Sequence, residues 1–460
     1  MRFQLPAGAA YILQTLEAAG WEACLVGGCV RDLLRGTEPQ DWDICTSASP
    51  EQTLSCFRTR GQRVLETGIQ HGTVTVFAEG EAFEVTTYRT EGPYSDSRHP
   101  DFVHFVPELE LDLARRDFTM NAIAIDLAGK LRDPFGGSED IRRGVIRCAG
   151  DPERRFREDG LRIMRALRFA ASLGYTIEEQ TAKALRSCRA MLKQVSAERI
   201  NRELCRLITG PGAGAVLREY PEVLWEFWPQ LETLRHRERS GLNGWERTVR
   251  AVEEVTIEAP LKLAALLHDV GGSGCQSAAP EESAGTADVM LRSLRFGNAS
   301  RKRIVTLIEH YYAPLSLREE ELRRPLSRLE PEAFYQLLEL RRADIAAQPQ
   351  GLSEARLEEL EQIRSMAERI IAEGQCLTLG DLEINGRDVI AAGIPSGPEV
   401  GRILNALLDR VLSGYVPNER EALLKMLPQI PCPAMGGEGR EGAALALPPR
   451  GLNPLGTRNF

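Results

Sequence analysis

The segment from Leu25 to Cys45 constrains the fold of this chain more than any other part of the sequence. It reads Leu25-Val-Gly-Gly-Cys-Val-Arg-Asp-Leu-Leu-Arg-Gly36 and continues as Gln40-Asp-Trp-Asp-Ile-Cys45. The apolar run before the two glycines predicts a strand, and the run after them predicts a helix. A second strand is predicted from Trp42 to Cys45. The segment therefore predicts a strand, a helix and a strand joined by tight turns.

The spacing of apolar residues differs between two parts of the chain. Up to about residue 150, short apolar runs predict further strands at Ala23 to Val26, Thr73 to Phe77, Phe83 to Thr87 and Ala122 to Ile125. From residue 151 onward, apolar residues recur at intervals of three and four, which predicts helices. The predicted fold class is an α+β head at the amino-terminal end followed by an all-α remainder.

Composition excludes several classes of protein. The 460 residues include 66 acidic and 57 basic side chains, a net charge of −9, which disfavours a protein that coats nucleic acid with its whole surface. The best apolar stretch, Leu261 to Val270, contains three polar residues, so we predict no membrane partner. The ten cysteines include no C-x-x-C pair, which favours reduced thiols and a cytoplasmic location.

Asp41 and Asp43 are two residues apart, so on a strand their carboxylates point to one face and can share divalent metal ions. A lone pair of this kind also occurs in solvated turns. Here Glu84 supplies a third acid on another predicted strand. Three carboxylates around two Mg²⁺ ions suit nucleotidyl transfer, because one ion activates the attacking hydroxyl and the other neutralises the departing pyrophosphate. We predict Asp41, Asp43 and Glu84 as catalytic, Asp41 and Asp43 as metal ligands, and Mg²⁺ as the cofactor.

The glycine turn predicts a phosphate site. A strand that ends in Gly27-Gly28 before a helix brings free backbone N–H groups close to an anion. Arg31 lies one turn into that helix, where its charge can reach a polyphosphate. We predict that Gly28 and Arg31 bind the nucleotide.

These motifs resemble those of the class II tRNA nucleotidyltransferases and bacterial poly(A) polymerases, members of the polymerase-β-like superfamily. The resemblance covers roughly residues 20–210 and extends to an ordered series of further segments. They are His71-Gly-Thr-Val-Thr-Val76, Glu84-Val-Thr-Thr-Tyr-Arg89, Arg115-Arg-Asp-Phe-Thr-Met-Asn-Ala122, Asp133-Pro-Phe-Gly-Gly137, Arg155-Phe-Arg-Glu-Asp-Gly-Leu-Arg162 and Glu198-Arg-Ile-Asn-Arg-Glu-Leu204. The resemblance implies a polymerase-β-like head and an enzyme that adds CCA to the tRNA 3′ end from CTP and ATP without a nucleic-acid template.

The resemblance also suggests a division of the chain into five parts. We expect a nucleotidyltransferase head at 1–150, a helical neck that binds the nucleotide base and RNA at 151–230, and a helical body at 231–370. A helical tail that binds tRNA is expected at 371–430, where a Gly-Pro pair opens a predicted helix. Residues 431–460 are rich in Gly, Pro and Ala and are predicted to be disordered.

Asp159 and Arg162 are candidates for choosing the base. The pattern from Glu158 to Arg165 is helical, so the two side chains are expected on one face, where an ordinary ion pair is the alternative. A carboxylate only accepts and a guanidinium only donates, so together they complement the edges of cytosine and adenine and reject uracil and guanine. In the family, the residues that match Asp159 and Arg162 serve as the protein template for CTP and ATP.

Further arginines and polar residues are predicted around the nucleotide and the RNA. Arg116 and Asp117 match family residues near the ribose and triphosphate, although a structural ion pair would also explain them. Nine arginines and four acids between Arg142 and Arg168 predict a strip that contacts RNA phosphates. The remaining predicted residues are Asn121, Arg165 and Arg168 for the nucleotide, and Arg154, Arg155, Arg199 and Arg202 for RNA.

Several points stay open from the sequence. Residues 91–106 match a loop that in this family helps to reshape the pocket, and they also suit an ordinary surface loop. His268-Asp269 resembles the doublet of HD-type phosphohydrolases, but Arg247 stands where a histidine ligand is expected, so we interpret the doublet as a packing relic. A CC-adding or A-adding partial enzyme, a poly(A) polymerase and a non-catalytic RNA-binding module are alternatives. A homodimer is also open.

Overall fold

A computed structural model describes residues 4–92, 102–239, 241–256, 258–271, 279–348 and 354–431. Most of the predicted pocket loop and nearly all of the predicted disordered terminus therefore lie outside the described residues.

Thirteen strands are described. They are β1 (Ala23–Val26), β2 (Asp43–Thr46), β3 (Val64–Gly68), β4 (Thr73–Ala78), β5 (Glu81–Thr87), β6 (Arg89–Glu91), β7 (Val103–Phe105), β8 (Ala124–Asp126), β9 (Leu131–Arg132), β10 (Val145–Ile146), β11 (Thr176–Ile177), β12 (Glu238–Arg239) and β13 (Leu242–Asn243).

Twenty α-helices are described. They are α1 (Ala7–Ala18), α2 (Gly28–Leu34), α3 (Pro50–Arg58), α4 (Leu109–Ala114), α5 (Gly137–Arg143), α6 (Pro152–Glu158), α7 (Leu161–Leu173), α8 (Glu179–Cys188), α9 (Ala197–Ile208), α10 (Ala213–Glu219), α11 (Pro221–Trp225), α12 (Gly244–Glu254), α13 (Ala259–Leu267), α14 (Pro280–Ser293), α15 (Asn298–Glu309), α16 (Glu319–Ala346), α17 (Glu354–Ala372), α18 (Gly386–Ala391), α19 (Pro398–Leu412) and α20 (Arg420–Met426).

A seven-stranded mixed sheet forms the head, in the order β3-β4-β5-β2-β1-β8-β9. Strand β2 runs parallel to β5 and antiparallel to β1, so the two strands that carry predicted catalytic acids are direct neighbours. Behind them, Cys24, Cys45 and Tyr88 are fully buried in the core. Burial raises the pKa of the Cys24 thiol to about 12, which makes it unreactive.

The predicted fold class is confirmed, because the mixed sheet is followed by a region made mainly of helices. Two further short strand pairs, which the sequence analysis did not predict, are β12 with β13 within the helical region and β10 with β11, of which β10 precedes that region. Helix α16 is kinked at Glu330, whose φ is 58°.

Two compact units are distinguished, one of residues 1–317 and 329–368 and the other of residues 318–328 and 369–460. The finer division into head, neck, body, tail and terminus stays a prediction. Within the described ranges, no helix combines the length and the apolar composition needed to cross a membrane.

Candidate active site

A cleft of about 1170 Å³ opens where β2 begins. Asp41, Asp43 and Glu84 all line this cleft and are exposed in it. Asp43 is the first residue of β2 and lies directly opposite Glu84 on the parallel strand β5. Opposed residues on neighbouring strands share a face of the sheet. The structure therefore brings the three predicted carboxylates to one cleft.

The electrostatics of Asp43 favour a bound cation. The pKa of Asp43 is raised above its ordinary value, first because protein surrounds the carboxyl group and then because Glu84 and Asp41 are near, while Arg116 acts in the opposite direction. A divalent cation between these oxygens would relieve the repulsion. Among the described residues, no three His, Cys, Asp or Glu side chains form a ready metal cluster. The donors instead fit Mg²⁺, which binds one or two carboxylates together with substrate phosphates.

Gly27 allows Arg116 to approach these acids. Its φ is +79°, and a Cβ atom there would lie 3.0 Å from an Arg116 guanidinium nitrogen and 3.9 Å from Asp43 Oδ2. A side chain at this position would therefore be strained and would push Arg116 away. Gly28 follows as the first residue of α2. The glycine turn thus allows the Arg116 guanidinium to lie beside the predicted metal ligands.

Asp112 orients the Arg116 guanidinium. The sequence analysis did not predict a role for Asp112. It is 1% exposed, and its carboxylate accepts hydrogen bonds from Arg115 at 2.7 Å and from Arg116 at 3.1 Å. Burial by itself would raise the pKa of Asp112, but the two guanidinium groups lower it. Arg115 and Arg116 follow Asp112 by three and four residues, and this spacing is the sequence signal that could have identified the two ion pairs.

A hydrogen-bonded chain connects four predicted nucleotide-binding residues. Arg31 donates to Asn121 Oδ1 at 3.1 Å, and Asn121 Nδ2 donates to Asp117 Oδ1 at 3.1 Å. Arg165 Nε donates to Asp117 Oδ2 at 2.8 Å. Asp117 therefore pairs with Arg165. The structural ion pair between Arg116 and Asp117, which the sequence left open as an alternative, is not formed. The chain joins the head to α7.

Three predicted nucleotide-binding arginines surround the ring of Phe169. The guanidinium carbons of Arg31, Arg165 and Arg168 lie 5.3, 5.4 and 3.8 Å from the centre of its ring. Arg168 also pairs with buried Glu203 at 2.7 Å. Burial and the neighbouring Arg165 lower the pKa of Arg168 to about 10, against the opposing effect of Glu203. Three predicted arginines thus lie together, each beside an acidic partner: Asp32 for Arg31, Asp117 for Arg165 and Glu203 for Arg168.

The Asp117 pair should make stability depend on pH. Burial alone would raise the pKa of Asp117, but Arg165 and Asn121 lower it from 3.8 to about 2. The ionised pair therefore stabilises the fold above pH 3.8, and this contribution is lost as the pH falls towards 2. We expect Asp117→Asn to lower the free energy of unfolding by about 2 kcal/mol at pH 7. In urea unfolding, the difference from the wild type should narrow below pH 4.

An exposed ion pair provides the control for this prediction. Glu153 pairs with Arg157 at 2.6 Å, and both side chains are at least half exposed. Glu153→Gln should change the free energy of unfolding by less than about 1 kcal/mol. A difference for Asp117→Asn that does not change between pH 7 and pH 3 would show that ionisation of Asp117 is not the cause.

The helix predicted through Asp159 is interrupted, which corrects the sequence interpretation. Helix α6 ends at Glu158, Asp159 is extended, and α7 begins at Leu161. Asp159 Oδ1 accepts from the Leu161 N–H at 3.0 Å, and this local bond stabilises the break. Asp159 and Arg162 therefore do not share the face of one helix. The dipeptide Asp159-Gly160 is a turn signal that could have revealed this.

Arg162 is held by other groups than Asp159. It is 7% exposed and donates to Glu158 Oε2 at 2.9 Å, to the Arg155 carbonyl at 3.2 Å and to the Arg115 carbonyl at 2.9 Å. These bonds use three of the five N–H groups of a guanidinium. For the remaining N–H groups, one of them on Nε, the described residues supply no acceptor. The bond to the Arg115 carbonyl connects this side chain to the residue that precedes Arg116.

The four arginines predicted for RNA occupy different environments. Arg155 is buried against Glu158, and Arg199 pairs with Asp159, so neither belongs to a free basic surface. Arg154 is exposed, although it also reaches Glu158. Arg202 is exposed and makes no ion pair with the described part of the chain. The predicted strip is therefore smaller than the arginine count suggested.

The His268-Asp269 doublet is enclosed within the helical body. His268 is 1% exposed and its Nδ1 donates to the Ala265 carbonyl at 2.8 Å. Arg247 lies 3.4 Å from His268 Nε2 and donates to buried Asp344 at 2.7 Å. A guanidinium thus occupies the centre of this group and cannot coordinate a metal. This arrangement favours the packing interpretation.

Family models match three parts of the chain. A model described as "Poly A polymerase head domain" matches residues 23–147. One described as "Probable RNA and SrmB- binding site of polymerase A" matches residues 174–222. A third, for tRNA nucleotidyltransferase domain 2, matches residues 281–427.

Similar proteins cover nearly the whole chain. A CCA-adding enzyme of Geobacillus stearothermophilus is 37% identical over 429 residues, which are 90% of this chain and 95% of the relative. One of Levilactobacillus brevis is 35% identical over 426 residues, again 90% and 95% of the two chains. A crystal structure of the Bacillus stearothermophilus CCA-adding enzyme in complex with CTP has a TM-score of 0.67 and 34% identity, covering 92% of this chain and 96% of that one.

Proposed function

We propose a mechanism from the premise that this chain belongs to the family of CCA-adding enzymes, which are tRNA nucleotidyltransferases. The chain is an enzyme that adds CCA to the 3′ end of tRNA from CTP and ATP. The observation that carries the mechanism is the direct opposition of Asp43 and Glu84 in the cleft that Asp41 also lines. These intact carboxylates argue against a non-catalytic RNA-binding module.

Divalent metal is required by this family, and we propose Mg²⁺. Asp41 and Asp43 would hold the metal, and Glu84 would assist from the neighbouring strand. When bound, the metal supplies charge stabilisation to the attacking 3′ oxygen and the departing pyrophosphate. The raised pKa of Asp43, which the surrounding protein and the nearby acids cause, supports this role.

The triphosphate and ribose would lie along the cationic side of the site. Arg31, Arg165 and Arg168 converge on Phe169, and Gly28 begins the helix that carries Arg31. Their positive charge would hold the phosphates in line with the tRNA 3′ hydroxyl. A nearby set of polar groups, Arg116, Asp117 and Asn121, would hold the ribose.

Asp159 and Arg162 would read the base. Asp159 can accept from the amino group of cytosine or adenine, and Arg162 can donate to the adjacent ring nitrogen with the N–H groups left free. Uracil and guanine would place a carbonyl oxygen against the carboxylate and an N–H against the guanidinium. The break between α6 and α7 changes how these side chains are held, but it does not change the hydrogen bonds that they can offer a base.

RNA contacts are proposed for the exposed arginines. Arg154 and Arg202 are exposed cations that can contact phosphates of the tRNA acceptor end. In the tail, Pro398 opens α19 as predicted, and the tRNA contact of this region stays a proposal. A homodimer and a cytoplasmic location stay predictions, which sedimentation and cell fractionation would check.

Base choice provides the test of this mechanism. With tRNA that lacks its CCA end, we expect incorporation of C from CTP and of A only after CC, with little labelling from UTP or GTP. Asp159→Ala should lower kcat/KM for CTP by about 10- to 100-fold, because one charge-assisted hydrogen bond to the base is lost. Radiolabelled single-nucleotide assays measure both effects.

Two results would contradict the proposal. Equal labelling by all four nucleotides in the wild type would exclude a template formed by Asp159 and Arg162. Addition of C without A, or of A only to a supplied CC end, would identify a partial enzyme instead.

A further inference from the structure

A second cavity lies in the helical body and shares no lining residue with the cleft of Asp43. Its volume is about 270 Å³, and residues of α16, of α17 and of the segment that follows α15 line it. The charged side chains in this lining are Arg341, Asp344, Arg356 and Glu359. Their partners decide which charge the cavity presents to a ligand.

Asp344 brings no uncompensated negative charge to the cavity. It is 3% exposed, and its carboxylate accepts hydrogen bonds from Arg247 at 2.7 Å and from the Tyr311 hydroxyl. The Nε2 atom of His268 lies 3.7 Å from the same carboxylate. The charge of Asp344 is therefore balanced by groups other than Arg341.

Arg341 has no acidic partner within the described ranges. Its Nη2 donates to the carbonyls of His310, at 3.0 Å, and of Ala313, whereas its buried Nε has no acceptor. Residues 349–353, which lie between α16 and α17 in the sequence, include no acid. Burial lowers the pKa of Arg341 to about 10, against the opposing effect of Tyr311. A buried cation without a counter-ion is costly, so an anion beside it would stabilise the protein.

The bonds to the two carbonyls do not require a charged side chain. His310 is the residue at which α15 ends, and the last carbonyls of a helix have no partner within the helix. A neutral donor such as glutamine would satisfy them without burying a charge. The charge of Arg341 and the N–H groups on its Nε and Nη1 are therefore left for a ligand.

The exposed side of the cavity adds one cation and one acid, both on α17. Arg356 is exposed and donates to Gln348 Oε1 at 3.2 Å. Glu359 is also exposed, and neither side chain forms an ion pair with the part of the chain that the structure describes. Since Asp344 is balanced elsewhere, two guanidinium groups and one solvated carboxylate remain. The cavity therefore presents a net positive charge.

We propose that this cavity binds a phosphate group, supplied as inorganic phosphate or as pyrophosphate, with Arg341 as its main ligand. A phosphate group carries more than one negative charge near pH 7 and offers several acceptor oxygens. It can accept from Nε and Nη1 of Arg341 and from Arg356 at the same time, whereas a single carboxylate would balance only one guanidinium. The proposed mechanism of CCA addition does not use these residues, so the site goes beyond that function.

Calorimetric titration of the full-length protein with inorganic phosphate, at constant ionic strength, tests the proposal. We expect Arg341→Met to weaken phosphate binding by at least about 10-fold, because charge-assisted hydrogen bonds are lost. Titration with pyrophosphate distinguishes the two sources, since the occupant should bind more tightly. The kcat for CTP addition should stay at the wild-type value in this variant.

Three further variants separate charge, geometry and fold. Arg341→Lys keeps the charge but loses the planar fork, so its affinity for phosphate should lie between those of the wild type and Arg341→Met. Arg342→Met is the matched control, because Arg342 is the next residue on α16 and pairs with Glu339 at 2.9 Å. It should bind phosphate as the wild type does. Glu359→Gln removes the opposing acid and should bind phosphate at least as tightly as the wild type.

Several results would overturn the inference. Wild-type phosphate affinity in folded Arg341→Met and Arg341→Lys would do so, and so would equal affinity of the wild type for acetate and phosphate. A loss of affinity in Arg31→Met instead would place the phosphate at the proposed triphosphate site. A rise in the KM of tRNA for Arg341→Met, with unchanged phosphate binding, would assign Arg341 to RNA. CCA addition by the wild type would stand in each case.

Discussion

Replacing Asp43 by alanine is expected to lower kcat/KM for CTP addition by about 10⁴-fold, because a proposed carboxylate ligand of the divalent cation is lost. Asp41→Ala should have a similar effect. The reaction is measured with tRNA lacking its CCA end, radiolabelled CTP and saturating Mg²⁺.

The same substitution should not destabilise the protein. The surrounding protein and the neighbours Glu84 and Asp41 raise the pKa of Asp43. A carboxyl group whose pKa is raised on folding opposes folding at higher pH, where it must be ionised. Asp43→Ala should therefore leave the melting temperature unchanged or slightly higher, as expected where function is favoured over stability.

Glu81 provides the matched control for Asp43. It begins β5, the strand that carries Glu84, and it lines the same cleft. Glu81→Gln removes a negative charge from the cleft without removing a proposed ligand, so kcat/KM should change little. An Asp43→Ala enzyme with wild-type activity, or equal losses in Glu81→Gln and Asp43→Ala, would contradict the assignment of the metal ligands.

The strands of the head were the most predictable part of this molecule. The prediction for β1 agrees in both bounds with Ala23–Val26, and β2 differs from its prediction by one residue at each end. Strand β1 is buried and apolar, and β2 is buried after Asp43, so sequence pattern and structure agree. Strand β3, Val64–Gly68, was missed because it is largely exposed and lacks a buried apolar face.

The partners of the site residues were much less predictable. Sequence spacing suggested that Asp159 meets Arg162, but its partner is Arg199, which lies 40 residues further along the chain. The contact depends on how α9 packs against α7, which no local pattern encodes. The opposition of Asp43 and Glu84 likewise follows from the pairing of β2 with β5. Residue types identified the chemistry, and tertiary packing decided the pairs.

The second large effect is expected at Arg247 in the helical body. Arg247→Ala should lower the free energy of unfolding by about 3 to 5 kcal/mol, because it leaves Asp344 buried without the guanidinium that donates to it at 2.7 Å. Burial by itself would raise the pKa of Asp344, but His268 and Arg247 hold it well below its usual range. Removing the guanidinium removes much of that stabilisation. Chemical denaturation of the full chain measures the loss.

Two comparisons separate charge from packing at this position. Arg218 pairs with Glu246 and Glu253 where all three side chains are partly exposed, so Arg218→Ala should cost less than about 1 kcal/mol.

The double variant Arg247→Met with Asp344→Asn removes both charges and keeps an acceptor for the Tyr311 hydroxyl. Because Asp344 then leaves no buried charge behind, and Asp269 still lies 3.8 Å from Arg237, the double variant should be more stable than Arg247→Ala. A double variant as unstable as the sum of its two single variants would show that the charges are not coupled.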